Sequence, residues 1–236
     1  MEIQPLGDSA LIVRVVADFA RDPDGSLTAV LDVLEALEAA AIPGVIELAP
    51  AYATVAVFYD PVRISMNADS TDPFESLRKK IVAIISAGSS KKKQRSEASA
   101  IEVPVCYDRA FALDLDKVEQ QTGLSGTEII RRHASAAYRV NCIGFSPGFP
   151  YLSGLPAELA TPRRATPRTD VPAGSLAIGG AQTGIYPKNS PGGWNVIGRT
   201  PLVLFDVRRD PPARLRAGDR VRFRQITREE FDEMSR

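Results

Sequence analysis

Histidine occurs once in this chain, at His133, tryptophan once, at Trp194, and cysteine twice, at Cys106 and Cys142. A single imidazole beside two separated thiols matches no zinc spacing, and two cysteines are too few for a disulfide framework. No metal site is expected, and reduced thiols in a cytoplasmic protein are. Net charge is lacking too: the formal value is zero over 236 residues, so no global field recruits nucleic acid or an anionic membrane. No apolar run reaches the length of a membrane helix, and the opening MEIQPLGDSALIVRVVAD lacks the basic segment and apolar stretch of a secretion signal. The phosphate-binding loop G-x-x-x-x-G-K-[ST] is missing, and GGAQTG does not reproduce a dinucleotide fingerprint. GFSPG puts a proline where a serine nucleophile's next amide must serve an oxyanion hole, which argues against serine hydrolysis.

What is present is an ordinary globular composition, 44% hydrophobic and 25% charged, broken once by the small, polar, basic stretch SAGSSKKKQRSEASA. That break divides the chain into an N-terminal domain, 1–88, a linker, 89–100, and a C-terminal domain, 101–236. In the first, SALIVRVV reads as a strand and SLTAVLDVLEALEAA as a helix, capped by Asp24 or Ser26. VIEL and ATVAVFY add strands and PFESLRKKIVAIIS a second helix. The order β-α-β-β-α predicts an α+β layer, an antiparallel sheet with both helices on one side, with IEVPVCY as a candidate last strand. In the second, DLDKVEQQTGLSGTEIIRRHASAAY predicts two short helices split at Gly123, with a capping box from Ser125 and Glu128. Glu119 and Arg132 fall where a DNA-binding helix-turn-helix needs a small and an apolar residue, so the pair reads as an adaptor.

Between Gly144 and Asp206 the chain is dense in glycine, proline and placed aromatics. Pro147-Gly148 predicts a type II turn that gathers Phe145, Phe149 and Tyr151 around one bend. Gln182, Thr183, Tyr186, Trp194, Asn195 and Arg199 stand among later turns that solvated Ser, Asp or Lys would serve as well, which marks the segment as a site on a turn-rich β-barrel. Of Arg163, Arg164 and Arg168 in the proline-stiffened TPRRATPRTD, Arg168 is the one read as an anion ligand. His133 has the intrinsic pKa of a general acid or base, and the competing reading is a histidine at a helix C-terminus, where the macrodipole favours its charged form. A Cys-His pair is disfavoured because Cys142 lies in an apolar stretch.

RHASAAYRVNCIGFSPGFPYLSGLP, TPRRATPRTDVPAGSLAIGGAQTGIYP and SPGGWNVIGRTPLVLFD resemble the signature blocks of the PxpB/KipI family, formerly allophanate hydrolase subunit 1 and also carboxyltransferase domain subdomain C. IPGVIELAPAYATVAVFYDP extends the resemblance into the N-terminal half. It implies an α+β N-terminal domain followed by an all-β cyclophilin-like barrel. It further implies the PxpB-type component of an ATP-dependent 5-oxoprolinase that hydrolyses 5-oxo-L-proline to L-glutamate, inactive without PxpC/KipA-type and PxpA-type subunits, with ATP and Mg2+ at the assembled complex. His133 matches the family's histidine and would be catalytic. Phe145, Pro147, Phe149, Tyr151, Arg168, Gln182, Thr183, Tyr186, Trp194 and Arg199 would contact substrate or partner. Asp170 departs from the family pattern and sets an anionic group near Arg168. The alternatives carried by the same blocks are a protein inhibitor of a histidine kinase and a component of allophanate or urea breakdown.

Overall fold

The computed structural model describes residues 1–66, 72–88 and 99–236, so most of the expected linker lies outside the described residues. The chain divides into two compact units, Met1–Glu97 and Ala98–Arg236.

The first unit runs β1 (Glu2–Pro5), β2 (Ala10–Arg14), α1 (Pro23–Ala40), β3 (Val45–Ala51), β4 (Thr54–Tyr59), α2 (Pro61–Met66) and α3 (Pro73–Ser86). The sheet order is β1-β2-β4-β3 and all its pairs are antiparallel. Strand alternation puts Leu11, Val13, Val55, Val57 and Tyr59 on one face, and Val30, Leu37, Leu77 and Ile81 of α1 and α3 pack on it in a single core. The predicted cap of α1 is corrected: the helix begins earlier, with Pro23 at its first position, and the Asp22 carboxylate accepts from the Gly25 amide at 2.9 Å. Proline's fixed φ and missing N–H suit that position, which leaves Ser26 buried inside the helix.

The second unit contains β5 (Ile101–Cys106), α4 (Leu115–Thr122), α5 (Gly126–Ser135), β6 (Tyr138–Ile143), β7 (Pro150–Ser153), β8 (Arg168–Val171), β9 (Ser175–Gly179), β10 (Gln182–Ile185), β11 (Ser190–Gly192), β12 (Asn195–Arg199), β13 (Arg220–Ile226) and α6 (Arg228–Met234). Seven strands close a barrel in the order β10-β7-β6-β13-β5-β12-β9, while β8 and β11 form a separate pair. IEVPVCY is therefore no part of the N-terminal sheet: β5 runs parallel to β13 from Ile101↔Val221 to Cys106↔Ile226. One continuous core takes Val103, Val105, Val140, Leu152, Leu176, Ile178, Ile185, Ile197 and Phe223 from the strands and Leu115, Val118 and Ile129 from α4 and α5. The helix pair thus belongs to the barrel's core, and the unit is all-β only in its wall. Ser125 caps α5 by accepting from the Glu128 amide, but Glu128 does not complete the capping box. Its carboxylate is taken by Arg131 and Arg132, whose hydrogen bonds bring its pKa down to about 2.

Candidate functional site

His133, on the last turn of α5, is fully buried on the inner side of the barrel. Its ring lies 5.0 Å from that of Phe223 and 5.2 Å from that of Tyr138. Nδ1 is 3.0 Å from the Tyr107 hydroxyl and Nε2 is 3.1 Å from Thr183 Oγ1. Thr183 has one hydroxyl proton and donates it to the Ala177 carbonyl at 3.0 Å. It must therefore accept from His133, which places the imidazole proton on Nε2 and leaves Nδ1 to accept from Tyr107. Both nitrogens of a neutral ring are satisfied, and burial pushes its pKa down to about 3. The helix C-terminus does not prevail over desolvation. In this structure His133 is a closed part of the core, reached neither by solvent nor by a thiol. Cys106 and Cys142 are buried and are not joined in a disulfide, and burial raises the Cys106 pKa.

Strand alternation sends the neighbouring residues outward, where a different cluster forms. Ala177 of β9 and Val196 of β12 pack with Phe149, Val171, Tyr186 and Trp194, with Tyr151 against them. The expected turn supplies Phe149: its amide donates to the Ser146 carbonyl at 3.0 Å and Gly148 has φ 82°. One residue earlier, the Ser146 amide donates to Gly144 O at 2.8 Å across Phe145, which has φ 67°. A γ-turn of this hand is strained for a non-glycine residue, and it holds Phe145 63% exposed beside Phe149.

Glycines let the rings lie on the barrel wall. A Cβ on Gly184 would come within 2.9 Å of the Phe149 ring, one on Gly192 within 2.3 Å of the Tyr186 hydroxyl, and one on Gly179 within 2.4 Å of the Trp194 indole. Gly179→Ala is therefore expected to displace the indole and lower stability by about 1–3 kcal/mol. Because Trp194 is the only tryptophan, denaturation followed by its emission checks both effects. An unchanged midpoint with an unchanged spectrum would refute the contact.

The three arginines of the proline-rich loop divide unequally. Asp114, 4% exposed, takes the guanidinium of Arg164 and, at 2.8 Å, that of Arg168 on one oxygen, and the Val196 amide at 2.9 Å on the other. The sequence reading of Arg168 as an anion ligand is thereby corrected: its charge is committed to a buried carboxylate, and Asp114 rather than Asp170 is the reason. Arg163 is the exception. It is exposed, sits 5.8 Å from the Trp194 ring centroid and has no ion pair among the described residues.

Phe145, Tyr151, Arg163, Tyr186 and Trp194 border one cleft of about 200 Å³, floored by Phe149. Burial pushes the Tyr151 and Tyr186 phenols up, so both are proton donors near neutral pH. The lining holds no carboxylate, thiol or imidazole, so its chemistry is that of binding and orienting rather than of proton abstraction. Its volume lies below the range of about 300–1,000 Å³ typical of sites that take drug-sized ligands. No trio of metal-ligating side chains gathers among the described residues that would hold a magnesium ion. Pro147 is exposed in the turn beside the cleft. Gln182 and Thr183 lie on β10, the first half-buried and the second facing His133. Arg199 borders another cavity, donating to Ala173 O at 2.8 Å with Phe111 and Phe231 at 5.7 and 6.0 Å. The residues grouped by sequence thus fall in four places, the outer cleft, the core beside His133, the Asp114 carboxylate and the Arg199 cavity, and the sequence reading picks Arg168 over Arg163 and leaves Asp114 out.

The family description carboxyltransferase domain, subdomain C and D, matches residues 1–215. The chain is 37% identical over 232 residues to the B-type subunit of 5-oxoprolinase from Bacillus subtilis (strain 168), covering 98% of this chain and 95% of that protein. It is 54% identical over 127 residues to the B-type subunit of 5-oxoprolinase from Escherichia coli O157:H7, covering 54% of this chain and 58% of the other. The crystal structure of TTHA0988 superposes with a TM-score of 0.73 at 33% identity, covering 95% of this chain and 40% of that one. The match thus spans two-fifths of TTHA0988 and a little over half of the Escherichia coli protein. Among the described residues no helix is long and apolar enough to cross a membrane.

Proposed function

Because this chain belongs to the PxpB/KipI family of carboxyltransferase domains, subdomain C and D, we propose that it is the PxpB-type component of an ATP-dependent 5-oxoprolinase. The observation that carries the reading is an alignment covering 98% of the chain and 95% of a protein named as the B-type subunit of 5-oxoprolinase. The cleft supports it. An unstrained lactam is a poor electrophile, so opening it to L-glutamate needs activation at the amide oxygen by phosphoryl transfer from ATP, which leaves ADP, followed by water attack on the ring carbonyl carbon, departure of phosphate and cleavage of the ring C–N bond with protonation of the nitrogen. This chain contributes binding: a guanidinium, two phenols and an aromatic floor, with charge stabilisation in a partly desolvated site. The lining has no base, so nucleotide, metal ion and proton transfer are assigned to the assembly with PxpC/KipA-type and PxpA-type subunits. Its place of work is the cytoplasm.

Reconstitution tests this. The isolated chain should show no 5-oxoproline-dependent ATP hydrolysis, and activity should appear when the two partner subunits are added. Full activity from the chain alone would sink the multi-component reading. No activity with partners, together with inhibition of a histidine kinase by the chain, would transfer the assignment to protein contact without turnover.

A further inference from the structure

We infer that Arg163 is the anion-binding residue of the cleft and that the ligand it selects is a small ring bearing one carboxylate. Taking that ring to be 5-oxoproline rests on the reading above. The anion site itself rests on geometry. Arg164 and Arg168 are held by Asp114, whose second oxygen accepts from the Val196 amide, whereas Arg163 makes no ion pair with that or any other carboxylate among the described residues. The Arg163 backbone is fixed on both sides. Asn195 Nδ2 donates to the Pro162 carbonyl at 2.9 Å, and the Arg164 amide donates to the Gly193 carbonyl at 2.7 Å. A cation mounted on anchored backbone, its guanidinium beside the Trp194 indole, loses little further freedom when an anion arrives.

The shape of the cleft limits the ligand. About 200 Å³ admits one small ring, whose face can lie on the aromatic floor while the Tyr151 and Tyr186 hydroxyls remain as donors for polar atoms. Arg164 also lines the cleft but is paired with Asp114, so the one uncommitted guanidinium fork, that of Arg163, matches a singly charged, planar carboxylate, and a phosphate dianion would call for further free cations or a helix N-terminus. Arg163 is thus a specificity-determining residue: it distinguishes the acid from its neutral amide.

Trp194 lines the cleft and is the only tryptophan, so its emission reports the site in the full chain. 5-Oxoproline and cyclopentanecarboxylate, which keeps ring and charge without the lactam, should perturb it saturably, and 5-oxoprolinamide should not. Arg163→Gln should raise Kd for both carboxylates about 10- to 100-fold, the loss of one charge-assisted interaction, with circular dichroism unchanged. Arg163→Lys should restore part of the loss, since it keeps the charge and loses the fork. In the reconstituted complex Arg163→Gln should raise KM for 5-oxoproline by a similar factor. Where the isolated chain gives no saturable response, the KM comparison decides. Equal binding of the amide, or a KM changed by less than about twofold, overturns the inference while leaving the 5-oxoprolinase reading in place. Carboxylate binding through Arg163 in a complex that does not hydrolyse 5-oxoproline removes that reading and leaves the anion site standing.

Discussion

Asp114→Ala is expected to lower the stability of the barrel unit by about 3 kcal/mol, a fall of roughly 6–12 °C in Tm. The substitution strands the Val196 amide in the interior and leaves the guanidiniums of Arg164 and Arg168 side by side without a counter-charge. Breaking a buried pair by removing one partner costs about 3–5 kcal/mol, and the lower figure applies because water still reaches both arginines. Each keeps 24% of its side chain exposed. Asp114→Asn retains an acceptor for the Val196 amide and should lose about half as much. A double-mutant cycle isolates the charge. Arg164→Gln should destabilise the native chain, and in the Asp114→Ala background it should be neutral or stabilising, because it relieves like-charge repulsion. Additive effects would show that the carboxylate does not anchor the loop. The substitution should also weaken the response of Trp194 to carboxylates, since Arg163 sits on the loop that Asp114 fastens.

The features legible in the sequence are those set by near neighbours. Pro147 and Gly148 dictate their turn by their own backbone preferences, and the turn forms as read, with Gly148 at φ 82°. Helices α1 and α3 follow from apolar spacing, and even the misplaced cap of α1 is an error of two residues against Asp24. The rest depended on partners far along the chain. Nothing in TPRRATPRTD says which arginine stays free, because that is decided by an aspartate 50 residues from Arg164 and 54 from Arg168. Asp114 itself stands at the N-cap of α4, yet its side chain makes no capping hydrogen bond and is turned to the distant arginines instead. Strand β5 has the composition to finish either sheet, and its parallel ladder with β13 assigns it to the barrel. Thr183 and Gly184 adjoin, and a strand's twofold alternation turns the first inward to His133 and the second outward under Phe149. The motif blocks therefore mark one stretch of sequence, and the barrel wall divides it between an inner core and an outer cleft.

That division carries the last expectation, a pH-dependence of stability originating at His133. A histidine with an ordinary pKa of about 6.5 in the unfolded chain and about 3 in the folded one binds its proton preferentially when unfolded. Its contribution is fully present above pH 6.5 and is lost as pH falls towards 3, at about 1.4 kcal/mol per pH unit, so roughly 2 kcal/mol is gone by pH 5. Carboxylates titrate over part of the same range, so the informative quantity is the difference between the native chain and His133→Gln, which cannot titrate. Urea unfolding at about pH 7.5, 6 and 5 should show the native chain losing stability more steeply than the variant by that amount. His133→Ala removes a ring packed against Phe223 and Tyr138 and leaves the Tyr107 hydroxyl without its acceptor, a loss of about 3–5 kcal/mol at neutral pH. Equal pH slopes for the native chain and His133→Gln would mean that the imidazole meets water and protonates in the folded state. It would then be open to proton transfer, as the family resemblance implies. With the steeper native slope, His133 acts on the reaction only by holding β10 through Thr183, and His133→Gln in the reconstituted complex should leave the pH dependence of kcat unchanged.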